Sequence, residues 1–298
     1  MEFAATPLPH IGVVIVTMGT RPRELAALLD SAEKQDEPAA RVALVGNATP
    51  LSDVDVARNV TKIPLDENLG CPGSRNVGLE MLRDCGEVDV VIELDDDGPL
   101  IDPDVFQTVQ HLFASDPRLG IVGFRVADEH GHTERRWVPR LRADDPMRRG
   151  LVTAFLGGGH AFSVPMLRET GLWAAEFFFG HEESDLAWRA LDAGWKILYE
   201  PALVLQHPAT APARHAVYYR FTARNRVWLA RRRLPLPLIP VYLGVWILLT
   251  MALIRSLPGA RAWWGGFAEG MREPCGPRGA MRWRTVWRMT RLGRPPIL

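Results

Sequence analysis

An apolar run that ends abruptly in three consecutive carboxylates constrains the fold of this chain more than any other stretch. Residues 88–94 have the β-branched density of a buried strand, so Asp95, Asp96 and Asp97 are predicted to emerge at its carboxyl end. Open α/β sheets bind their ligands at that edge. In an extended segment Asp95 and Asp97 point to the same side, where a hard divalent cation would relieve their repulsion. The alternative interpretation is a solvated acidic turn before a helix that Asp102-Pro103 would cap.

The segments around the acids predict strands that alternate with helices. The predicted strands are residues 11–16, 41–45, 60–63, 119–124, 195–199 and 203–205. Helices are predicted from Pro22, after the glycine-rich residues 67–78, and over residues 104–113. This alternation favours a parallel, Rossmann-like sheet. Residues 127–150 are polar and predict a long surface excursion.

Residues 67–78 predict a glycine-punctuated loop that runs into a helix. Glycines let the backbone approach a ligand closely, and Arg75 adds a planar cation that suits phosphate. An ordinary turn before a helix explains the glycines equally simply. The strand that ends in three acids follows in the same α/β unit, and both features suit a metal-bound diphosphate.

A second acidic cluster contains Glu182, Glu183 and Asp185 and follows three phenylalanines at 177–179. The pattern places the acids at or just before a helix start, with Ser184 as the cap. Aromatic side chains beside carboxylates form a dry wall that raises a carboxyl pKa toward neutrality. The helix dipole alone also favours acids at this position, which is the structural alternative.

Two smaller signals lie near these clusters. Three glycines precede His160, a pattern that indicates either close backbone approach to a ligand or a tight bend. His207 follows the last predicted strand, where a histidine is usually structural unless it faces a metal.

The charges divide the chain into two unlike parts. Residues 1–210 carry 19 Lys+Arg against 33 Asp+Glu, and residues 211–298 carry 16 against 2, so the net charges are −14 and +14. Such a basic tail predicts contact with anionic lipid or nucleic acid. Its arginines flank an apolar segment rather than a polar groove, which disfavours nucleic acid. Three cysteines without a CxxC pair, and a first apolar run too short for a signal peptide, fit a reducing cytoplasm.

The apolar segment, residues 234–254, is marginal for crossing a membrane. Prolines at 235, 237 and 240 leave 14 uninterrupted residues, about 21 Å of helix against a hydrocarbon core of about 30 Å. A single crossing would also place the basic end outside, against the positive-inside tendency. Residues 281–291 put Trp283, Val286 and Trp287 on one face, which predicts an interfacial helix. The alternative is a helical hairpin packed on the catalytic domain or on a second subunit.

Taken in order, these motifs resemble those of the family 2 inverting glycosyltransferases, which have the GT-A fold, over residues 11–230. Residues 218–225 resemble the rhamnosyltransferase-like branch in particular. The resemblance implies a GT-A α/β domain at residues 1–212, with a mostly parallel central sheet. Residues 213–298 would then form a basic helical, membrane-associated extension.

The resemblance also implies a role for each matching residue. Donor binding falls to Thr17, Arg21, Asn47, Asn68, Gly70, Arg75, Asn76, Asp95 and Asp96. The ligands of a bound Mn²⁺ or Mg²⁺ would be Asp95, Asp97 and His207. The catalytic base is Glu183, which stands where the family usually has aspartate, and the acceptor side comprises His160, His181, Glu182 and Asp185.

The implied activity is transfer of a sugar from a nucleotide-diphosphate donor to a hydroxyl of a lipid-linked or cell-envelope glycan. The metal with Arg75 would neutralise the leaving diphosphate, and Glu183 would take the acceptor proton. The expected location is the cytoplasmic face of the membrane, peripheral or monotopic, with a single span as the alternative. Transfer to a polyprenyl phosphate and a non-catalytic nucleotide-sugar-binding scaffold are the alternative functions, and a homo-oligomer is left open.

Overall fold

The computed structural model describes residues 7–141, 145–207 and 216–298. Its strands are β1 (Ile11–Thr17), β2 (Arg41–Gly46), β3 (Val60–Pro64), β4 (Val90–Asp95), β5 (Leu119–Ala127), β6 (Gly150–Leu151), β7 (Gly159–Ser163) and β8 (Lys196–Gln206). Its helices are α1 (Pro22–Glu33), α2 (Gly70–Asp84), α3 (Val105–Ser115), α4 (Val164–Thr170), α5 (Glu182–Asp192), α6 (Ala216–Arg233), α7 (Leu238–Leu253), α8 (Leu257–Arg272) and α9 (Trp283–Arg291). Short 3₁₀ turns occur at Arg135–Trp137 and Ala175–Phe177.

The strands form one sheet in the order β3-β2-β1-β4-β7-β5-β8-β6. Pairing is parallel from β3 through β4 and between β5 and β8, whereas β7 is antiparallel to both of its neighbours and β6 is antiparallel to β8. The predicted mostly parallel, Rossmann-like sheet is confirmed. Its carboxyl edge collects the ends of β1, β2 and β4, where the predicted site lies.

Hydrophobic clusters cover both faces of this sheet. In β1, Val14 belongs to one cluster, and Val13 and Ile15 belong to the other. Burial on both faces explains why the central strands read as continuous apolar runs rather than alternating patterns.

The segment predicted as a glycine loop is largely helical, because α2 begins at Gly70. Gly70 has a φ of 73°, and a Cβ there would lie 2.4 Å from the carbonyl oxygen of Phe178. A Cβ on Gly78 would lie 2.7 Å from the Val14 side chain. These glycines let α2 pack closely on β1 and on the segment before α5, so their role is helix packing rather than loop flexibility.

The C-terminal helices pack on the α/β part of the chain. Trp228 of α6, Tyr242 of α7 and Met289 of α9 belong to the same hydrophobic cluster as the α2, α4 and α5 side of the sheet. Helix α8 approaches α6 closely because it carries Gly266 and Gly270, where a Cβ would meet α6 backbone. The predicted boundary between residues 212 and 213 lies outside the described residues.

Within the described part of the chain, no helix has the length and apolarity needed to cross a membrane. The prediction that Trp283, Val286 and Trp287 share one face of the helix is wrong for Val286. Val286 is buried with Thr285 and Met289, while Trp283 and Trp287 are 49% and 61% exposed. Helix α9 therefore packs on the protein through one side and presents its tryptophans on another.

Candidate active site

The carboxyl ends of β1, β4 and β8 bring six of the predicted residues together around an acidic turn. Asp95 ends β4, and the Oδ2 of Asp96 accepts a hydrogen bond from Thr17 Oγ1 at 2.5 Å. The Oδ2 of Asp97 lies 2.9 Å from Arg21 Nη1 and 3.0 Å from His207 Nε2. The donor and metal residues that the sequence placed at separate strand ends are thus neighbours.

A close backbone contact positions His207 beside this turn. A Cβ on Gly98 would lie only 1.7 Å from the carbonyl oxygen of Gln206, so a side chain at position 98 would displace the end of β8. The amide of Gln206 also donates to the Pro99 carbonyl oxygen at 3.3 Å. The glycine after the three acids therefore holds the turn against the strand that leads to His207.

The acids of the turn differ in protonation behaviour. Burial raises the pKa of Asp96 above its ordinary value, and the charges of Asp95 and Asp97 add to this, so the predicted cost of adjacent carboxylates holds here. Burial would also raise the pKa of Asp97, but His207 and Arg21 outweigh burial and lower that pKa.

Asp97 is the residue that best suits a divalent cation. Its Oδ1 is buried and has no hydrogen-bond partner, which leaves a carboxylate oxygen available as a ligand. No cluster of three or more His, Cys, Asp or Glu side chains among residues 7–141, 145–207 and 216–298 forms a complete metal cage. Cations such as Mg²⁺ commonly take one or two protein carboxylates and complete their shell with substrate phosphates and water. The Asp97–His207 pair supplies two protein ligands and fits that kind of site.

The Arg75 side chain points into the protein. The sequence had instead predicted a cation available to a phosphate. It is 3% exposed, and its Nη2 donates to Asp95 Oδ1 at 2.5 Å and to the Gly157 carbonyl oxygen at 2.6 Å. Its Nη1 is buried without a partner. Arg75 therefore holds Asp95 in place.

The predicted donor residue Asn76 does not contact the site. Its side-chain amide exchanges two hydrogen bonds of 3.0 Å with the backbone of Trp173. The helical start of α2 turns this side chain toward the Trp173 segment, and its donor-binding role stays a prediction.

Asn47 and Asn68 shape the loop before α2. Asn47 Nδ2 donates to Asn68 Oδ1 at 2.9 Å, and Asn47 Oδ1 accepts from the amide of Leu69 at 2.9 Å. Asn68 Oδ1 also accepts from the amide of Gly70 at 2.8 Å. Asn47 is buried and Asn68 is exposed, so only Asn68 presents a surface to a ligand.

Helix α5 begins at Glu182, two residues before the predicted cap at Ser184. Its N-cap is His181, which has a left-handed φ of 72°, and Phe178 is left-handed as well. This strained segment is held from α6: Asn225 Nδ2 lies 2.8 to 2.9 Å from the carbonyl oxygens of Phe177, Phe179 and Gly180. Sequence analysis did not predict that residues 218–225 would position this segment. The direction of the Asn225 side chain depends on how α6 packs, which the sequence does not show.

Glu183 occupies the space beside Gly157 and remains partly exposed. Its Oε1 lies 2.7 Å from where a Cβ on Gly157 would be, and Arg75 Nη1 lies 3.4 Å from the same point. Burial raises the pKa of Glu183, and the positive charge of Arg75 opposes the rise. Glu183 thus combines partial exposure with a raised pKa, as a general base requires.

Glu182 faces the interior instead. It is 2% exposed, and its Oε2 has no hydrogen-bond partner. Burial, and then the charge of Glu183, raise the pKa of Glu182 to about 8. The side chain is therefore enclosed, and its acceptor-side role stays a prediction.

Asp185 and His160 are also enclosed, and their acceptor-side roles stay predictions. Burial would raise the pKa of Asp185, but Arg189 and Arg233 outweigh it and lower that pKa, with their Nε atoms 2.8 Å and 2.6 Å from the carboxylate. His160 Nε2 lies 2.7 Å from Glu93 Oε2 in the core.

Comparisons with known proteins identify the fold. No family model matches the sequence, and no curated protein matches it either. A structure of GalNAc-T7 with UDP, GalNAc and Mn²⁺ is similar at a TM-score of 0.65 and 16% identity, covering 89% of this chain and 56% of that one. This chain therefore spans only slightly more than half of that protein.

Two further structures are similar over most of both chains. The mannosyltransferase PcManGT from Pyrobaculum calidifontis, in complex with GDP-Man and Mn²⁺, has a TM-score of 0.56 and 20% identity over 96% of this chain and 85% of that one. S. aureus TarS 1-349 has a TM-score of 0.59 and 13% identity over 88% and 81%. The chain therefore has the GT-A type of α/β fold, followed by a helical extension.

Proposed function

We propose that the protein is a metal-dependent glycosyltransferase that transfers a sugar from a nucleotide-diphosphate donor to an acceptor hydroxyl with inversion. The observation that carries this proposal is the placement of two unlike carboxylates, Asp95 and Glu183, near the Arg75 guanidinium. Asp95 accepts a hydrogen bond from Arg75 Nη2, and Glu183 lies beside the same guanidinium at Gly157. The similar structures that hold UDP or GDP-Man with Mn²⁺ support the donor and metal classes.

On the donor side, Asp97, His207 and Asp95 would hold a divalent cation. When bound, that cation neutralises charge on the diphosphate oxygens. Arg21 is 47% exposed beside Asp97 and can exchange its carboxylate partner for a phosphate. Thr17 fixes Asp96, and Arg75 fixes Asp95, so the acidic turn keeps one geometry through the reaction.

On the acceptor side, Glu183 takes the proton from the attacking hydroxyl. The hydroxyl oxygen bonds to the anomeric carbon while the bond from that carbon to the diphosphate oxygen breaks. The nucleoside diphosphate leaves with the electron pair of that bond. One displacement of this kind inverts the anomeric centre, and a raised pKa makes the Glu183 carboxylate a stronger base.

The motifs of the sequence favour family 2 and its rhamnosyltransferase-like branch, and a lipid-linked or cell-envelope glycan as acceptor. Exposed leucines on the C-terminal helices support membrane association: Leu248, Leu253 and Leu257 are 74%, 68% and 77% exposed. We infer that the enzyme binds the cytoplasmic face of an anionic membrane as a peripheral or monotopic protein.

A screen of nucleotide sugars for metal-dependent thermal stabilisation tests the donor side. We expect one donor to raise the Tm only with Mn²⁺ or Mg²⁺, and Asp97→Asn to remove that rise while the ligand-free Tm stays close to wild type. Asp36→Asn, at an exposed position, is the matched control. Donor hydrolysis or transfer by the purified protein excludes a non-catalytic scaffold, and full activity in chelator would refute metal dependence.

A further inference from the structure

A groove rich in arginine runs along the C-terminal segment. A cavity of about 910 Å³ lies between residues 139–141 and 148–153 on one side and residues 291–295 and Leu298 on the other. The described residues that line it include no aspartate or glutamate but five arginines, which are Arg140, Arg148, Arg149, Arg291 and Arg294. This volume is typical of a site for a small-molecule ligand.

The groove continues to the start of α5. A second cavity of about 100 Å³ shares Thr153, Arg294, Pro295 and Leu298 with the first. Its other lining residues include Arg226, His181 and Ser184. Ser184 belongs to the first turn of α5, so the inner end of the groove lies at the helix turn that also carries Glu183.

The cationic groups at the inner end have neutral or weak partners. Arg226 Nη1 donates to the Tyr242 hydroxyl at 3.4 Å and Arg294 Nε to the Leu298 oxygen at 3.5 Å, while Arg226 Nε is buried without a hydrogen-bond partner. Among the described residues, neither arginine pairs with an aspartate or glutamate side chain. Arg226 instead stacks over Trp246, with its Cζ 3.5 Å from the ring centroid. Burial and the charge of Arg226 lower the pKa of Arg294, and burial lowers the pKa of Arg226.

Two enclosed guanidiniums that repel each other indicate a site completed by an anion. Arginine presents its donors in a planar fork that matches phosphate oxygens, and its stacking on Trp246 fixes that fork in place. The indole Nε1 of Trp246 is also buried without a partner and adds a neutral donor. Arg149 differs from these groups because Glu200 already neutralises it at 2.5 Å.

We propose that this arginine groove, comprising Arg148, Arg226, Arg291 and Arg294, binds a phosphate or diphosphate group carried by the acceptor. The inference rests on the proposed function and adds to it the chemical class of the acceptor. A phosphate held by Arg226 and Arg294 leaves the rest of the acceptor beside the first turn of α5, where Glu183 takes a hydroxyl proton.

Isothermal titration in chelator tests the groove without the donor, the metal or sugar transfer. The probes are inorganic pyrophosphate and farnesyl diphosphate, with farnesol as the uncharged control. We expect both diphosphates to bind the wild type and the Arg226→Gln/Arg294→Gln double variant to bind at least about tenfold more weakly. Arg148→Gln changes an exposed side chain and should weaken binding without any effect on folding.

Matched controls separate this result from loss of structure and from the donor site. Arg261→Gln, at an exposed position on α8, and Asp97→Asn should both bind like the wild type. Tighter binding of farnesyl diphosphate assigns the groove to a lipid-linked phosphate, and equal binding of the two probes assigns it to the phosphate alone. The proposal is overturned if neither diphosphate binds, or if the double variant and Arg148→Gln retain wild-type affinity. Either result leaves the donor-side experiment unaffected.

Discussion

Glu183 is the residue on which the proposed chemistry depends most directly. Glu183→Gln removes the proton acceptor but keeps the shape of the side chain, so we expect transfer to fall at least about 100-fold. Donor affinity should remain nearly unchanged, because proton abstraction belongs to the transition state. Steady-state kinetics and donor titration measure the two effects, with Glu80→Gln as an exposed control on α2. Near-wild-type transfer by Glu183→Gln would move the base to another residue.

Glu182 predicts a pH dependence of stability. Its pKa rises from 4.5 to about 8 on folding, so the folded state holds this proton more tightly than the unfolded state. The contribution of Glu182 to stability is full below pH 4.5 and is lost as the pH rises toward 8. Glu182→Gln should remove this loss and raise the Tm at pH 8 relative to wild type. Thermal unfolding of both proteins from pH 5 to pH 9 measures the difference, and parallel pH profiles would contradict the assignment.

Sequence reasoning identified the residues of the acidic turn but not their partners. Residue spacing alone places Asp95 and Asp97 at the end of a buried strand. The inward direction of Arg75 follows from the packing of α2 on β1 through Gly78, which is a tertiary contact between distant segments. The direction of the Asn76 side chain was not predicted for a similar reason. A glycine-rich pattern does not distinguish a loop from a closely packed helix start.

At the scale of elements, the long buried strands were predicted to within a few residues and the sheet as mostly parallel, but the antiparallel strand β7 was not predicted. Nothing in residues 159–163 indicates that β7 lies antiparallel between β4 and β5, because direction depends on the chain path between strands. Residues 195–199 and 203–205 were predicted as two strands but form the single β8. Pro201 lies within its register shift against β5, so the proline marks a bulge rather than a strand end.

In the segment that precedes β7, an added methyl group should lower activity at Gly157 but not at Gly158. Gly157→Ala places a Cβ 2.7 Å from Glu183 Oε1 and 3.4 Å from Arg75 Nη1, so both side chains must shift. Gly158→Ala meets nothing closer than 3.7 Å and is the matched control. We expect Gly157→Ala to lower kcat about tenfold or more with a small change in Tm, and Gly158→Ala to change neither. Equal activity of the two variants would show that this segment does not position Glu183.

At the scale of the whole molecule, several arginines of the basic tail bond to the rest of the protein. The sequence showed its charge, but it could not show that Arg232 and Arg233 are buried and that Arg233 bonds to Asp185. Arg231 likewise donates to backbone carbonyl oxygens at the end of α8, including Gly270 at 2.5 Å. Arg232 and Arg233 thus hold α6 to the α/β part of the chain, and Arg231 holds it to α8. The proposed contact with a membrane is therefore assigned to the exposed apolar side chains of α7 and α8.

That division predicts which substitutions detach the protein from lipid. Leu248→Ser, Leu253→Ser and Leu257→Ser together remove apolar groups that already face solvent, so the fold should survive. Burial of one leucine side chain contributes about 1.5–3 kcal/mol, so partitioning onto vesicles that contain anionic lipid should fall at least about tenfold. The control pair Ile101→Ser and Met147→Ser alters side chains of similar exposure elsewhere, 51% and 56%, and should bind like the wild type. Co-sedimentation with vesicles measures the partitioning, and unchanged binding of the triple variant would remove α7 and the start of α8 from the membrane contact.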